Sequence, residues 1–206
     1  GIEGDDGTVI FHSTAGQNGD NGIQVSEGSA VINSASFDNE VDGFDVASGG
    51  IVDNCVSTDN GVFGFDIALG GQVVNSTAYD NMSNGFDMAS ACILRNCISS
   101  LNNGHGVRTF ANSYVTDSKF HENDLDGIRI SSTDCHVQGN QATDNDMVGI
   151  HATASGSFFV QNTAAGNLTN YLIDANCSFG PILNVTGAGD LSAVAGADHP
   201  WANFEF

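Results

Sequence analysis

The chain has 206 residues, of which 25 are Asp or Glu and only 4 are Lys or Arg, giving a formal net charge of −21. A surface this acidic repels nucleic-acid phosphates and anionic membranes, so we expect no nucleic-acid partner. There is no apolar run of about 18 residues, so the sequence predicts no membrane insertion. The chain has 26 glycines, two prolines and few helix formers, a composition that favours short strands and turns.

A four-residue motif recurs through the chain at a fixed spacing. It reads Gly43-Phe44-Asp45-Val46 and returns 21 residues later, at Gly64 and again at Gly85. Self-similarity at such a period indicates a solenoid. Taking each of these glycines as position 0 divides residues 1–175 into nine units, which we call coils 1 to 9, beginning at Gly1, Gly22, Gly43, Gly64, Gly85, Gly106, Gly127, Gly149 and, in degraded form, Asn170.

Within each coil the same positions are apolar. Positions 1 and 3 hold pairs such as Phe65 and Ile67, and position 9 holds residues such as Val73. Apolar residues at alternate positions after a turn glycine describe a short strand with one buried face. We therefore predict three short strands per coil in an all-β parallel β-helix, with like positions stacked at about 4.8 Å. Leucine-rich and GGxGxD calcium repeats do not fit the composition.

Two polar features have a structural interpretation. Position 17 is Asn in all eight coils from Asn18 to Asn167, which predicts an asparagine ladder whose amides hydrogen-bond from coil to coil and tolerate the left-handed turn conformation. The five cysteines form no CxxC pair. Cys55 and Cys97 share position 12 two coils apart, beyond disulfide reach, so we expect buried free thiols.

The segment Val52–Ile67, with the pattern Val-x-Asn-Cys-x-x-x-x-Asn-x-x-x-Gly-Phe-x-Ile, resembles the repeat of the pectate-lyase-like superfamily. The resemblance covers roughly residues 1–173 and implies a right-handed coil. The tail around Gly180-Pro181 and His199-Pro200-Trp201 is similar to the end of uncharacterised bacterial β-helix proteins. We expect residues 1–175 to form the repeats and 176–206 to form a C-terminal cap, with Trp201 packed on the last coil.

Position 2 of each coil is predicted to point outward and form one stripe along a sheet. It holds Asp45, Asp66 and Asp87, then Arg108, Arg129 and His151. Stacked carboxylates repel one another unless a cation bridges them, and calcium suits such oxygens. In the superfamily, lyases hold calcium on carboxylates and use a basic residue to remove a proton. The resemblance therefore implies Asp45, Asp66 and Asp87 as calcium ligands, Arg108 or Arg129 as base or carboxylate clamp, and His151 as general acid or base.

Most of the basic side chains lie between residues 95 and 151, which predicts one basic patch for an anionic ligand. Its further members are Arg95, Lys119 and His121. An alternative is a solvated face with no ligand, in which Asp87 pairs with Arg108.

Three functions remain open on the sequence. The first is an extracellular or surface-displayed structural or binding module, an adhesin or spacer that engages acidic polysaccharide or cell-surface glycan. The second is a calcium-dependent lyase or C5-epimerase acting on uronic-acid polymers. The third is a filament subunit stacking through its first coil, because Gly1 starts inside a repeat without a Met or a leader, as in an excised part of a longer secreted protein. Uniform coils without long cleft loops favour the first.

Overall fold

The computed structural model describes residues 1–187 and 189–206 and is a parallel β-helix. Each coil contributes one strand to each of three parallel sheets, which confirms the predicted three strands per coil. The only helical element in the described ranges is a 3₁₀ turn at Leu191–Ala193.

The strands are numbered in chain order and described sheet by sheet. Sheet 1 consists of β1 (Ile2–Gly4), β4 (Ile23–Val25), β7 (Phe44–Val46), β10 (Phe65–Ile67), β13 (Phe86–Met88), β16 (Val107–Thr109), β19 (Ile128–Ile130), β22 (Val148–Ala152) and β25 (Thr169–Ile173). Sheet 2 consists of β2 (Val9–Phe11), β5 (Ala30–Ile32), β8 (Ile51–Asp53), β11 (Gln72–Val74), β14 (Ile93–Arg95), β17 (Tyr114–Thr116), β20 (His136–Gln138), β23 (Phe158–Val160) and β26 (Ser178–Phe179). Sheet 3 consists of β3 (Thr14–Gly16), β6 (Ala35–Phe37), β9 (Val56–Thr58), β12 (Thr77–Tyr79), β15 (Ile98–Ser100), β18 (Lys119–His121), β21 (Gln141–Thr143), β24 (Thr163–Ala165), β28 (Asn203–Glu205) and β27 (Ile182–Asn184).

The core is a set of stacked columns. Phe44, Phe65 and Phe86 are fully buried, and their rings stack with centroids 4.7 and 4.9 Å apart. Burial of each large side chain stabilises the fold by about 1.5–3 kcal/mol. Strands of adjacent coils pair residue for residue, as Phe65 does with Phe86. The outward residue between two buried residues of a strand therefore also lies next to its counterpart in the next coil, so the outward residues form columns too.

The glycine that begins each coil is required by close approach of the backbone. A Cβ atom on Gly64 would lie 2.6 Å from the carbonyl oxygen of Gly85 and 2.9 Å from Nδ2 of Asn81. A side chain at this position would therefore push neighbouring coils apart. This steric limit explains why the recurring motif starts with glycine.

The asparagine ladder is confirmed. From Asn18 to Asn167, Nδ2 of each Asn donates to Oδ1 of the Asn one coil on, at 2.7 to 2.9 Å. The left-handed conformation that the sequence predicts for these asparagines lies one residue earlier. It belongs to the preceding residue, as at Asp59, where φ is 56°, and Asp80, where φ is 54°. The ladder Asn is thereby free to turn its amide inward.

The tail continues two of the sheets. β26 pairs with β23 in sheet 2, and β28 pairs with both β24 and β27 in sheet 3. Asn203 continues a short row of asparagines at position 12, because Nδ2 of Asn140 donates to Oδ1 of Asn162 at 3.1 Å and Nδ2 of Asn162 donates to Oδ1 of Asn203 at 3.1 Å. Trp201 lies on the surface, 56% exposed, with its ring edge-on to Phe158 at 6.4 Å.

Candidate functional site

The outward residues of sheet 1 form the predicted stripe. Register pairs join Asp45 to Asp66, Asp66 to Asp87 and Asp87 to Arg108. Further pairs join Arg108 to Arg129 and Arg129 to His151. Six titratable side chains therefore follow one another on adjacent strands, the first three acidic and the last three basic. We call these the acidic half and the basic half of the stripe.

The two halves meet in an ion pair. The Arg108 guanidinium donates from Nε to Oδ1 of Asp87 at 2.7 Å and from Nη2 to Oδ2 at 2.9 Å. Nδ2 of Asn84 also donates to Oδ1 of Asp87, and the Arg108 guanidinium lies 5.6 Å from the Phe110 ring centroid. The hydrogen bonds to Asp87 raise the pKa of Arg108 further above its usual range. Arg108 is therefore permanently charged, which suits a carboxylate clamp better than a base.

Arg129 and His151 of the basic half converge on a buried carboxylate that sequence reasoning missed. The side chain of Asp126 is only 4% exposed, and its Oδ2 accepts from Nη1 of Arg129 at 3.2 Å. Nδ1 of His151 lies 2.9 Å from the same oxygen and also contacts Nη1 of Arg129. Nδ1 can donate to Asp126 or accept from Arg129, but not both at once. Asp126 thus holds Arg129 and His151 in contact on the surface of two adjacent coils.

His105 completes this cluster from the other side. Its Nδ1 accepts from the backbone N–H of Asp126 at 3.1 Å, so the neutral ring carries its proton on Nε2. Burial lowers the pKa of His105. The Asp126 carboxylate opposes that effect, and Arg129 and Arg108 add to it. His105 is therefore held as a neutral ring beside the charged pair.

Asp126 and His105 belong to a second column, the residue just before the first glycine of each coil. In this column the side chain accepts the backbone N–H of the same position one coil on, as Asp42 does from Phe63 at 2.8 Å and Asp126 does from Val148 at 3.1 Å. The signal was visible in the sequence as short polar residues preceding the coil glycines, at Asn21, Asp42, Asn84, His105 and Asp126. Where this position is polar, its side chain thus ties neighbouring coils together next to the stripe.

Crowding of carboxylates changes the chemistry of the acidic half. Burial, together with Asp42, Asp87 and Asp45 nearby, raises the pKa of Asp66 to about 6. Burial also raises the pKa of Asp42, with a hydrogen bond from Phe63 opposing it. Like charges this close favour the protonated form of one member. Asp66 therefore changes its charge near neutral pH.

The carboxylates do not form a calcium site as they stand. Oδ2 of Asp45 accepts from the amides of Asn21 and Gln24, and both oxygens of Asp87 bind Arg108. Within residues 1–187 and 189–206, no group of three His, Cys, Asp or Glu side chains is placed to hold a metal ion. Calcium needs six to eight oxygens without a neighbouring cation. Asp45 and Asp87 are thus held by other side chains, and calcium binding by Asp45, Asp66 and Asp87 stays a prediction.

Comparison with known families assigns the architecture. A family model described as "Right handed beta helix region" matches residues 85–169, which are coils 5 to 8. The chain is a right-handed parallel β-helix. The right-handed parallel β-helix expected from the repeat is thereby confirmed.

Solved structures share this β-helix fold at low sequence identity. The A-module of mannuronan C-5 epimerase AlgE4 from Azotobacter vinelandii is 20% identical with a TM-score of 0.74, over 84% of this chain and 57% of that one. Pectate lyase Pel9A is 16% identical with a TM-score of 0.68, over 76% of this chain and 50% of that one. A double mutant of the periplasmic alginate epimerase AlgG is 16% identical with a TM-score of 0.54, over 89% and 49%.

This chain spans about half to three fifths of the length of those proteins. A comparison with curated proteins found no match. Residues 1–187 and 189–206 contain no helix that could span a membrane.

The β-helix separates the basic residues that the sequence grouped together. Arg95 lies on sheet 2, Lys119 and His121 lie on sheet 3, and only Arg108, Arg129 and His151 share sheet 1. The prediction of one basic patch is therefore wrong, because residues close in sequence follow the coil around three faces. Lys119 borders a surface groove of about 400 Å³ with Asn96, and Nε2 of His121 lies 3.8 Å from Glu122. Ligand binding by Arg95, Lys119 and His121 stays a prediction.

Proposed function

We propose that this chain is an extracellular or cell-surface module that binds an acidic polysaccharide or glycan along the outer face of sheet 1. The observation that carries the proposal is the row of Arg108, Arg129 and His151 on three adjacent coils of a strongly acidic chain. The planar fork of Arg matches a carboxylate group in two hydrogen bonds. A uronate polymer repeats one carboxylate per sugar, and the stripe repeats one basic side chain about every 4.8 Å.

The likeness to solved structures supports the class of ligand. The compared proteins named as mannuronan epimerase, pectate lyase and alginate epimerase act on uronate polymers, and one of them is periplasmic. This chain spans only part of their length, so we infer a shared kind of ligand and not their activity. Within this proposal, residues 1–175 supply the binding surface and residues 176–206 act as its C-terminal cap.

The charges of the stripe limit where a polyanion lies. Asp45 and Asp66 repel it, so the footprint is the basic half, from Arg108 to His151. Arg108 uses two of its five N–H donors on Asp87, and three remain for a ligand. Asp126 holds Arg129 in place but also neutralises it in part. We therefore expect modest affinity, strongly weakened by salt, and no requirement for calcium.

Titration calorimetry with oligomannuronate, oligoguluronate and oligogalacturonate tests the proposal, with a neutral oligosaccharide as reference. We expect binding to at least one uronate that survives a chelator. Arg129→Gln should weaken it about tenfold or more, the loss of one charge-assisted pair. Arg95→Gln removes the same charge from sheet 2 and should leave the affinity unchanged. Absence of binding, or equal losses in both variants, would contradict a site on sheet 1.

A second candidate is a uronan lyase or C5-epimerase, favoured by the contact of Asp126, Arg129 and His151. In either reaction a base removes the proton at C5 next to the uronate carboxylate. A lyase then breaks the C4–O bond, forms the C4=C5 double bond and protonates the leaving oxygen. An epimerase returns a proton to C5 from the opposite face. In this candidate His151 moves the proton and Arg108 binds the carboxylate.

Two assays separate the binding module from the enzyme. Ultraviolet absorbance reports the unsaturated product of a lyase, and tritium release from C5-labelled polymer reports epimerisation. Turnover that His151→Gln abolishes while binding persists would establish the enzyme. Binding without turnover in either assay favours the module.

Stacking through the first coil also stays a prediction. β1, β2 and β3 each lie at the end of a sheet and pair with a neighbour on one side. If such stacking occurs, removing residues 1–21 should convert the assembly into a smaller particle, with a loss of mass greater than that of the deleted residues.

A further inference from the structure

The outer face of sheet 2 is apolar in a chain that is otherwise acidic. Its outward residues occupy positions 8 and 10 of each coil. Val9 and Phe11 are 59% and 63% exposed, and Ile51 and Tyr114 are 42% and 51% exposed. The two columns, read from coil 1 to coil 8, are Val9, Ala30, Ile51, Gln72, Ile93, Tyr114, His136 and Phe158, and Phe11, Ile32, Asp53, Val74, Arg95, Thr116, Gln138 and Val160.

Only two side chains in these columns carry a full charge, and they are opposite in sign. Asp53 and Arg95 flank Val74 in the same column, one coil to either side. Arg95 is exposed, and it makes no ion pair with any residue in the described ranges. Asp53 accepts only a neutral hydrogen bond, from Nδ2 of Asn75 at 2.8 Å. The charges of Asp53 and Arg95 therefore cancel over the face, but neither side chain forms an ion pair within the chain.

We propose that this face is the interface of a two-fold dimer in which two copies pack sheet 2 against sheet 2 with their coil axes antiparallel. A two-fold axis along the strand direction at coil 4 brings each column against itself in reverse order. Val74 then meets Val74 of the second copy. Asp53 of each copy then meets Arg95 of the other, so the interface contains two symmetry-related ion pairs.

Gln72, in coil 4 of the first column, faces Gln72 of the second copy, where the two amides can hydrogen-bond, and apolar residues of the columns also agree with this register. Ile51 faces Ile93 of the second copy, and the small Ala30 faces the large ring of Tyr114. Seven coils overlap, a contact about 30 Å long at the strand spacing. A mostly apolar contact with paired polar and charged groups is the composition of a subunit interface.

Charge complementarity favours a second copy over other occupants. A copy carries a formal charge of −21, so most faces of two copies repel each other. At physiological salt the screening length is about 8 Å, so charges on distant faces interact weakly. The residues of the contacting faces therefore determine whether two copies associate. Sheet 3 has exposed apolar residues too, such as Val56 and Ile98, but its outward strand positions hold Lys119 with no carboxylate to pair with it.

Sedimentation equilibrium across a range of concentrations tests the proposal on the full chain. We expect a particle of twice 21.3 kDa. Asp53→Arg places two arginines opposite each other and should weaken association by about tenfold or more, as should Arg95→Asp. The double variant restores opposite charges in the reversed sense and should recover the dimer. Val74→Lys, at the symmetry axis, should give a monomer, whereas Val56→Lys on sheet 3 should not change the mass.

Melting temperatures confirm that each variant is folded before its mass is interpreted. A monomer at every concentration overturns the proposal, as does a dimer that persists in Asp53→Arg and Arg95→Asp. Association that is lost only when residues 1–21 are removed would assign it to end-to-end stacking instead. Polysaccharide binding on sheet 1 is measured separately, so either proposal can fail alone.

Discussion

Arg108 and Asp87 form a two-bond ion pair between adjacent coils, with Nε to Oδ1 at 2.7 Å and Nη2 to Oδ2 at 2.9 Å. The pair joins the acidic half of the stripe to the basic half. It occupies the edge of Arg108 that a uronate carboxylate would otherwise bind. The ion pair therefore limits the affinity of the proposed ligand site.

Asp87→Asn is expected to tighten uronate binding, because it removes a competing carboxylate and frees the donors of Arg108. The gain should be about three- to tenfold by calorimetry, and stability should fall by no more than about 1 kcal/mol for this partly exposed pair. Asp45→Asn, two coils away, should produce a smaller gain. Weaker binding by Asp87→Asn would mean that the ion pair positions Arg108 for the ligand.

Asp66 is expected to make stability depend on pH. Its folded pKa of about 6 lies above the ordinary 3.8, so the fold favours the protonated form. This contribution is complete below about pH 4 and is lost as the pH rises through 6. Asp66→Asn should therefore stabilise the protein by about 1–2 kcal/mol near pH 7.5, after allowance for solvent screening, and by little near pH 4.

Thermal unfolding of Asp66→Asn at both pH values measures this effect. Glu27→Gln, at an exposed turn, should change the melting temperature little at either pH. An equal shift of Asp66→Asn at both pH values would contradict the raised pKa.

His105 is expected to titrate below its ordinary pKa of 6.5, chiefly because it is buried. A lowered folded pKa stabilises the fold above pH 6.5, and this contribution is lost as the pH falls. The shift of the His105 Cε1 proton with pH, assigned through His105→Gln, measures the midpoint. Nitrogen-correlated spectra should show the proton on Nε2, since Nδ1 accepts from Asp126. A midpoint above 6.5 would mean that the Asp126 carboxylate outweighs burial.

The asparagine ladder is expected to be costly to interrupt. Asn102 is fully buried, its Oδ1 accepts from the Nδ2 and backbone N–H of Asn81, and its Nδ2 donates to Asn123. Asn102→Ala leaves several buried polar groups unpaired and should destabilise the fold by about 2–4 kcal/mol in urea unfolding. Asn103→Ala, next in sequence and exposed, should cost less than about 0.5 kcal/mol. Similar losses in both variants would mean that the ladder adds little.

Thr109 is expected to be a site where substitution stabilises the protein. It occupies an inward position of sheet 1, is fully buried, and its Oγ1 is the one buried side-chain polar atom in the described ranges without a hydrogen-bond partner. Thr109→Val keeps the shape and removes the unpaired hydroxyl. The free energy of unfolding should therefore rise by about 1 kcal/mol. Thr77→Val, on the outer face of sheet 3, is the matched control. A destabilised Thr109→Val would imply an internal partner for the hydroxyl.

The columns of the repeat were readable from the sequence because a β-helix pairs like with like. Each position of the 21-residue unit meets the same position of the next coil, so Phe44, Phe65 and Phe86 share one environment, as do the ladder asparagines. The stripe from Asp45 to His151 was predicted for the same reason. Translational symmetry turns a sequence period directly into contacts.

What the sequence alone determined is therefore the architecture, its register, the buried columns and the order of charges along sheet 1. Only the tertiary structure decided which side chains meet between columns. It brought Asp126 to Arg129 and His151, and it placed Arg95 and Lys119 on other faces. Contacts within a column follow from the period. Contacts between columns depend on where each turn directs its side chains, and a turn's dihedral angles are not encoded in the repeat spacing.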